Sequence, residues 1–332
     1  MPHAEMKVTD SEGPSVTPHA EFVHCLGAPT HVLKYGRTHM RGPGYDGQGP
    51  PQILFMLIPG NPGVMDYYRT FMAGLYQAFK GQYSVWGISH AGHCVPPPDL
   101  EAHQNADEHP DVFGLDGQVE HKRAFLREHV GPAVRLVLIG HSIGCHIILE
   151  ILKRDPQLKV IKSVLLFPTI ERMAESPSGR VMTPILCRLR YLAYPPILCL
   201  SFLLPLRAKT LLASVALWAS GLGPKTDPNA VSASLNLFSV HCAANSMYMA
   251  SQEMYQVTER DNVTIQEHLD KLIFYYGMSD HWCPVEYYHD MKRDFPAGDV
   301  RLCEKGIRHA FVLDSSLEVA QFVHSWIKEV LV

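Results

Sequence analysis

The sequence predicts an α/β fold with a mostly parallel central sheet flanked by helices. Three observations carry that prediction. Short apolar runs of strand length alternate with longer runs of helical pattern. The strand runs are apolar on both faces, as a sheet covered on both sides requires. A Gly-x-Ser-x-Gly stands between one such strand run and an apolar helical run.

Taken in order, residues 1–20 are polar and proline-bearing and predict disorder, with no apolar segment of the kind a secretory signal needs. EFVHC and THVLKYG read as two short strands around Gly27, followed by a Gly/Pro loop, RGPGYDGQGPPQ. ILFMLI (Ile53–Ile58) is a buried strand ending at PGNPG. Asp66 to Lys80 is helical in pattern, and YSVWGI (Tyr83–Ile88) is a strand running into SHAGH. Leu115 to His129 is a helix with its charges on one side. RLVLIG (Arg135–Gly140), a helix over Ile143–Arg154 and SVLLFP (Ser163–Pro168) follow.

The alternation then stops. From Ile170 to Asn262 the pattern gives helices and apolar loops but no strand. It resumes with a strand at KLIFYYG, a helix over Pro284–Asp294, a strand at DVRLCE and a closing helix from Ser316 to Val330. A sheet interrupted and then completed reads as one domain with an insertion. The expected layout is a core of 21–169 and 263–332 around a helical insertion of 170–262.

Composition sets the outer bounds. The chain has 332 residues, 46% hydrophobic and 19% charged, an ordinary globular balance. A net charge of −4 speaks against nucleic acid as a partner. Nineteen histidines are scattered without metal-ligand spacing. His90 and His93 in SHAGHC are the nearest pair, and a structured loop is the preferred reading there. No motif calls for a metal or cofactor, and none sets an oligomeric state. The eight cysteines form no CxxC, and several sit in apolar runs, which suits a reducing compartment. The sequon Asn262-Val-Thr is read as part of a loop.

The sharpest local signal is RLVLIGHSIGCHIILEI. A serine on a tight strand-to-helix turn projects its Oγ over the carboxyl edge of the sheet, and flanking glycines let neighbouring backbone come close. Ser142 is the expected nucleophile, and the N–H of Ile143 an expected oxyanion donor. Such a serine needs a base held by an acid, in the chain order Ser, Asp/Glu, His. Asp280 follows the strand KLIFYYG and His309 follows the strand at DVRLCE, both at carboxyl ends where sites gather. Asp280 would accept from His309 Nδ1–H, and Nε2 would take the Ser142 proton. Glu171 is the rival acid and His281 the rival base. His141 is expected to pack or line the pocket, and Asp314 is too near His309 to be first choice. The second oxyanion donor should come from Pro59-Gly60-Asn61-Pro62-Gly63, where only Gly60 and Asn61 within the Pro-flanked segment offer an N–H; Asn61 is favoured.

IPGNPG, WGISHAGH, GLDGQVEHKRAFL, LVLIGHSIG, LLFPTIERMAESPSGR, FYYGMSDHWCP and RLCEKGIRHAF together resemble the lipid droplet-associated hydrolase family of α/β-hydrolases. The resemblance runs from about Glu21 to the C-terminus and is weakest between about Arg188 and Ser239. It implies an α/β-hydrolase fold, a serine hydrolase acting on lipid esters, cholesteryl esters above all, and a place on lipid droplets and the endoplasmic reticulum, on their cytosolic face. The family's catalytic serine, aspartate and histidine fall on Ser142, Asp280 and His309.

The insertion carries the lipid-facing expectation, over about 181–224. The charge-free runs between Arg190 and Arg207, and between Lys209 and Lys225, are each about 15 residues, short of the ~20 a spanning helix needs. Pro195-Pro196 is expected to break the first run. Arg188, Arg190, Arg207 and Lys209 bracket it and can snorkel to a polar surface. A proline-broken hairpin entering one phospholipid monolayer is the expectation. A cap over the active site is compatible with it, and a true span is the third choice. Two functional alternatives stay open: a droplet-binding platform with little chemistry, and a soluble esterase or thioesterase on small acyl groups.

Overall fold

The structure, a computed structural model, describes residues 16–42, 52–98 and 111–331. Its eight strands are β1 (His19–Cys25), β2 (Ala28–Tyr35), β3 (Ile53–Ile58), β4 (Ser84–Ile88), β5 (Arg135–His141), β6 (Val160–Leu166), β7 (Leu272–Gly277) and β8 (Asp299–Cys303). They form one sheet in the order β1-β2-β4-β3-β5-β6-β7-β8. β1 and β2 make a hairpin, β2 pairs antiparallel with β4, and every pairing from β4 to β8 is parallel. All six residues of β3 and all six of β7 are buried, which is why these runs show no alternation in sequence.

Helices flank the sheet: α1 (Arg69–Ala78), α2 (Leu115–His129), α3 (Ile143–Arg154) and, after β7, α10 (Val285–Asp294) and α11 (Ser316–Ile327). Between β6 and β7 lie α4 (Pro177–Pro184), α5 (Arg190–Leu203), α6 (Leu206–Ala219), α7 (Ala230–Ser234), α8 (Val240–Gln256) and α9 (Asn262–Glu267). Ile147, Ile148 and Ile151 of α3 are fully buried, each worth about 1.5–3 kcal/mol. On its outer side Arg154 meets Asp116, Glu120 and Glu150.

The strand order reverses between β3 and β5, since β4 continues from β3 on one side and β5 takes the other. In open α/β sheets a crevice opens at such a point, at the carboxyl ends of the strands. The register Ile58↔Gly140 and His141↔Leu166 brings the ends of β3, β5 and β6 level.

Three expectations need correction. The sequon Asn262-Val-Thr is not loop but opens a helix over Asn262–Glu267, capped by Asp261. The expected disorder over 1–20 lies mostly outside the described residues, but its end does not hold, because β1 begins at His19 and pairs His19 with Lys34. Pro195-Pro196 does not break the insertion. Helix runs through both prolines from Pro177 to Leu203, by way of a π turn at Ile185–Leu189. Proline's fixed φ is already helical, and the carbonyls left without a donor, those of Tyr191 and Leu192, belong to exposed residues. The chain turns instead at Leu204-Pro205.

This 27-residue helix is long and apolar enough to cross a membrane by length and composition, yet only 6% of its most apolar window is buried. No residue of α5 is buried. Phe202 is 86% exposed, Leu203 78% and Trp218 of α6 71%. Inwardly, α5 packs on α8 and α6 on α7.

Candidate active site

Ser142 sits between β5 and α3 with φ 53° and ψ −122°. A non-glycine residue held there stores about 1–3 kcal/mol of strain, which the packing around it must offset. Gly140 and Gly144 make the turn possible. A Cβ on Gly144 would lie 2.3 Å from the Ile58 carbonyl oxygen of β3, and one on Gly140 2.8 Å from the Cys145 nitrogen. No larger residue fits either position.

His309, on the loop after β8, presents Nε2 at 2.9 Å from Ser142 Oγ. Its Nδ1 lies 2.7 Å from Asp280 Oδ2, on the loop after β7. Asp280 is itself fixed. Its Oδ1 accepts from the backbone N–H groups of Trp282 at 2.7 Å and Cys283 at 3.2 Å, and its Oδ2 from the Cys283 thiol at 3.1 Å. Burial pushes the Asp280 pKa up, but the His309 charge and these hydrogen bonds outweigh it and hold the carboxyl below its ordinary range. Asp280 Oδ2, Cys283 Sγ and His309 Nδ1 also lie within 4.8 Å of one another, the spacing of a metal site. Here they are joined in one hydrogen-bonded chain, and burial drives the thiol pKa well up, away from the thiolate a metal needs.

His141 lies beneath this chain. Its Nδ1 accepts from the Tyr68 hydroxyl at 2.6 Å, and its Nε2–H donates to the His309 carbonyl at 2.9 Å. Burial, then the neighbouring His309, pushes its pKa down to about 3, so the ring is neutral and serves as a fixed strut.

Across from the histidine, the Gly60 N–H donates to Tyr68 Oη at 2.8 Å and is spent there. The Asn61 N–H has no acceptor among the described residues. Ile143, as the first residue of α3, has no partner within its helix. The Asn61 side chain is held by α8: its Nδ2 donates to the Ser246 carbonyl at 2.9 Å and to Glu253 Oε1 at 2.8 Å. A cavity of about 230 Å³ opens over Ser142 and His309, walled by Met173, Met182, Leu186 and Met254, with Glu253 in its lining.

A family profile described as lipid-droplet associated hydrolase matches residues 51–312. A chicken lipid droplet-associated hydrolase is 54% identical over 314 residues, covering 94% of this chain and 95% of the relative. The human protein of that name is 46% identical at the same coverage, and a Drosophila melanogaster one 33% identical over 93% and 97%. The chain belongs to the lipid droplet-associated hydrolase family. Solved structures add the fold. A laboratory-evolved potato epoxide hydrolase superposes with a TM-score of 0.61 at 15% identity, covering 94% of this chain and 100% of that one. A haloalkane dehalogenase from Bradyrhizobium elkani gives 0.60 at 13%, covering 94% and 98%. The fold is that of the α/β-hydrolases.

In this member of the lipid droplet-associated hydrolases the rival candidates are occupied elsewhere. Glu171 is paired with Arg172 at 2.8 Å and Arg260 at 3.2 Å. His281 is exposed, and Asp314 is bound by Arg308 at 2.8 Å. His93 Nδ1 bonds the Pro62 carbonyl at 2.7 Å, so the SHAGH loop supports the turn that carries Asn61. The sequence reading missed Tyr68, His141's strut role and Glu253. For Glu253 a signal was present: a lone acid among Ser246, Met249 and Ala250 at helical spacing, on the inward face of α8.

Proposed function

We propose that this chain is a serine hydrolase of lipid esters working at the lipid droplet surface. The observation that carries the reading is the hydrogen-bonded sequence Asp280–His309–Ser142, at 2.7 and 2.9 Å, opening into a methionine-walled cavity. Ser142 Oγ attacks the ester carbonyl while His309 Nε2 takes its proton. Asp280 holds the Nδ1–H tautomer and stabilises the imidazolium. The N–H groups of Asn61 and Ile143 receive the developing oxyanion. His309 then protonates the leaving alcohol, and a water activated by the same nitrogen releases the acid and restores Ser142.

A sterol ester is the proposed substrate, following the family resemblance. The cavity is smaller than the ~300–1,000 Å³ usual for ligand pockets, so it takes one arm of such a molecule and leaves the other outside. The outside arm has an apolar place to lie. Met182 and Leu186 wall the cavity, while Val181, Ile185 and Leu189 of the same helical segment are exposed. Residues 170–262 thus act as the cap.

The same surface supports adhesion to the droplet monolayer. From residue 176 to 226 there is no Asp or Glu, while Arg180, Arg188, Arg190, Arg207, Lys209 and Lys225 are present. None of the six forms an ion pair among the described residues. Exposed apolar helices with unpaired cations suit a phospholipid surface. The cytosolic faces of lipid droplets and the endoplasmic reticulum are the proposed locations, and eight free thiols suit that reducing side.

Labelling by a fluorophosphonate probe tests the chemistry. Folded wild type should label and Ser142→Ala should not, and purified protein should cleave cholesteryl ester emulsions faster than short soluble esters. Unlabelled, folded wild type leaves the droplet-binding platform as the reading. Activity confined to soluble esters favours the small-acyl esterase. Deleting Tyr191–Leu206 should release the protein from emulsions while Ser142 still labels.

A further inference from the structure

We propose that Glu253 is a positioning residue for the oxyanion side of the site, acting through Asn61, and that the site works with this carboxyl uncharged. The proposal rests on the hydrolase reading above and deepens it. Asn61 has two amide hydrogens and both are used on α8, one by the Ser246 carbonyl and one by Glu253 Oε1. Ser246 and Glu253 are seven residues apart, two turns along one face, so the amide is gripped from both ends. The backbone N–H of Asn61 therefore points where α8 directs it.

Glu253 is 1% exposed, and Asn61 is its hydrogen-bond partner. No cation pairs with it among the described residues. On the segment that lines the cavity with Met173, Met182 and Leu186, Glu175, Arg180 and Arg188 are exposed to solvent, and Arg190 is taken up by Ser251 Oγ at 2.9 Å. On α2, Lys122 is bonded to the Ser89 carbonyl and to His121 Nδ1. His93 is held by Pro62, and His309 shares the cavity. Burial drives the Glu253 pKa up to about 7, against the bond from Asn61, which lowers it.

The two protonation states differ in what they do to the reaction. Either state accepts from Asn61. Only the ionised state places a negative charge one side chain away from the N–H group that must receive the oxyanion, on a carboxyl that is itself 1% exposed. Like charges in such a site oppose each other strongly, so ionisation of Glu253 slows the step that builds charge on oxygen.

The test compares full-length wild type, Glu253→Gln and Glu253→Leu from pH 5 to 9. The readouts are kcat/KM on a p-nitrophenyl ester and the rate of fluorophosphonate labelling. Wild type should lose about tenfold in kcat/KM as pH rises past about 7, a modest fraction of the ~10²–10³ lost with a whole oxyanion donor. Gln keeps the acceptor and does not titrate, so its alkaline decline should vanish. Leu removes the acceptor and should lower kcat at every pH with KM little changed. An unaltered alkaline decline in Glu253→Gln, with wild type labelled at Ser142, overturns this inference alone. Wild type that takes no label at Ser142 overturns the hydrolase reading and this inference with it.

Discussion

Helices α3 and α5 are both strongly apolar, and they have opposite fates. α3 buries eight of its twelve residues against the sheet, whereas α5 buries none of its fourteen. Sequence hydrophobicity alone does not distinguish them. What distinguishes them is whether the chain supplies an apolar surface to pack against. For α3 the sheet does. For α5 and α6 the protein covers only the inner side and leaves the outer side exposed, where the proposed adhesion to a lipid surface would act. Chemistry and adhesion are therefore expected to be separable by mutation.

The largest effect tests that separation from the chemical side. Ser142→Ala should lower ester turnover by about 10⁴-fold or more while leaving partitioning onto phospholipid-coated emulsions unchanged, measured by flotation. Loss of both together would break the comparison. Next comes the adhesive side. Phe202→Glu, Leu203→Glu and Leu206→Glu combined should weaken emulsion binding by about 10³-fold or more, at about 1.5–3 kcal/mol per apolar side chain and ~1.4 kcal/mol per tenfold, with Ser142 labelling retained. The same triple change should leave the melting temperature nearly unmoved, since these residues are exposed.

The core counterpart is Ile148→Ala, which should cost about 2–5 kcal/mol in urea unfolding without altering emulsion binding of the folded protein. Acid gives a further contrast. His93 and His141 are buried and pushed down to about 3, and His90 and His121 are also well below 6.5, burial being the first cause in each. A depressed histidine stabilises the fold above its unfolded pKa, and that stability is lost as pH falls from 6.5 towards 3. Melting curves should show a loss on the order of a few kcal/mol between pH 7 and pH 4.5. Residues 177–226 hold no histidine, so their affinity for emulsions should stay flat until the core unfolds.

How far the sequence reveals this depends on the range of the interaction involved. β3, β5 and β7 are legible because a strand buried on both faces must be apolar throughout. Ser142 is legible because the elbow needs glycines at Gly140 and Gly144 and nothing larger. Asp280 and His309 follow from chain order. The turn at Pro205 rather than Pro195-Pro196 is not legible, because a proline pair reads locally as a helix breaker whichever way the chain continues. Tyr68 and Glu253 are hidden for another reason: each acts on a residue far away in sequence, His141 and Asn61, through a contact that only the fold creates.

The grip of α8 on Asn61 also says which parts of the insertion can be exchanged. Residues 190–219 make no hydrogen bond to Ser142, Asp280 or His309 among the described residues, so changes in their length and apolar character are expected to leave the proposed chemistry unaltered. α8 has no such freedom. A cap grafted from another hydrolase would have to bring its own acceptors for Asn61, at two points two helical turns apart. The insertion therefore has two parts: one exposed and free of bonds to Ser142, Asp280 and His309 among the described residues, the other bonded to Asn61 beside them.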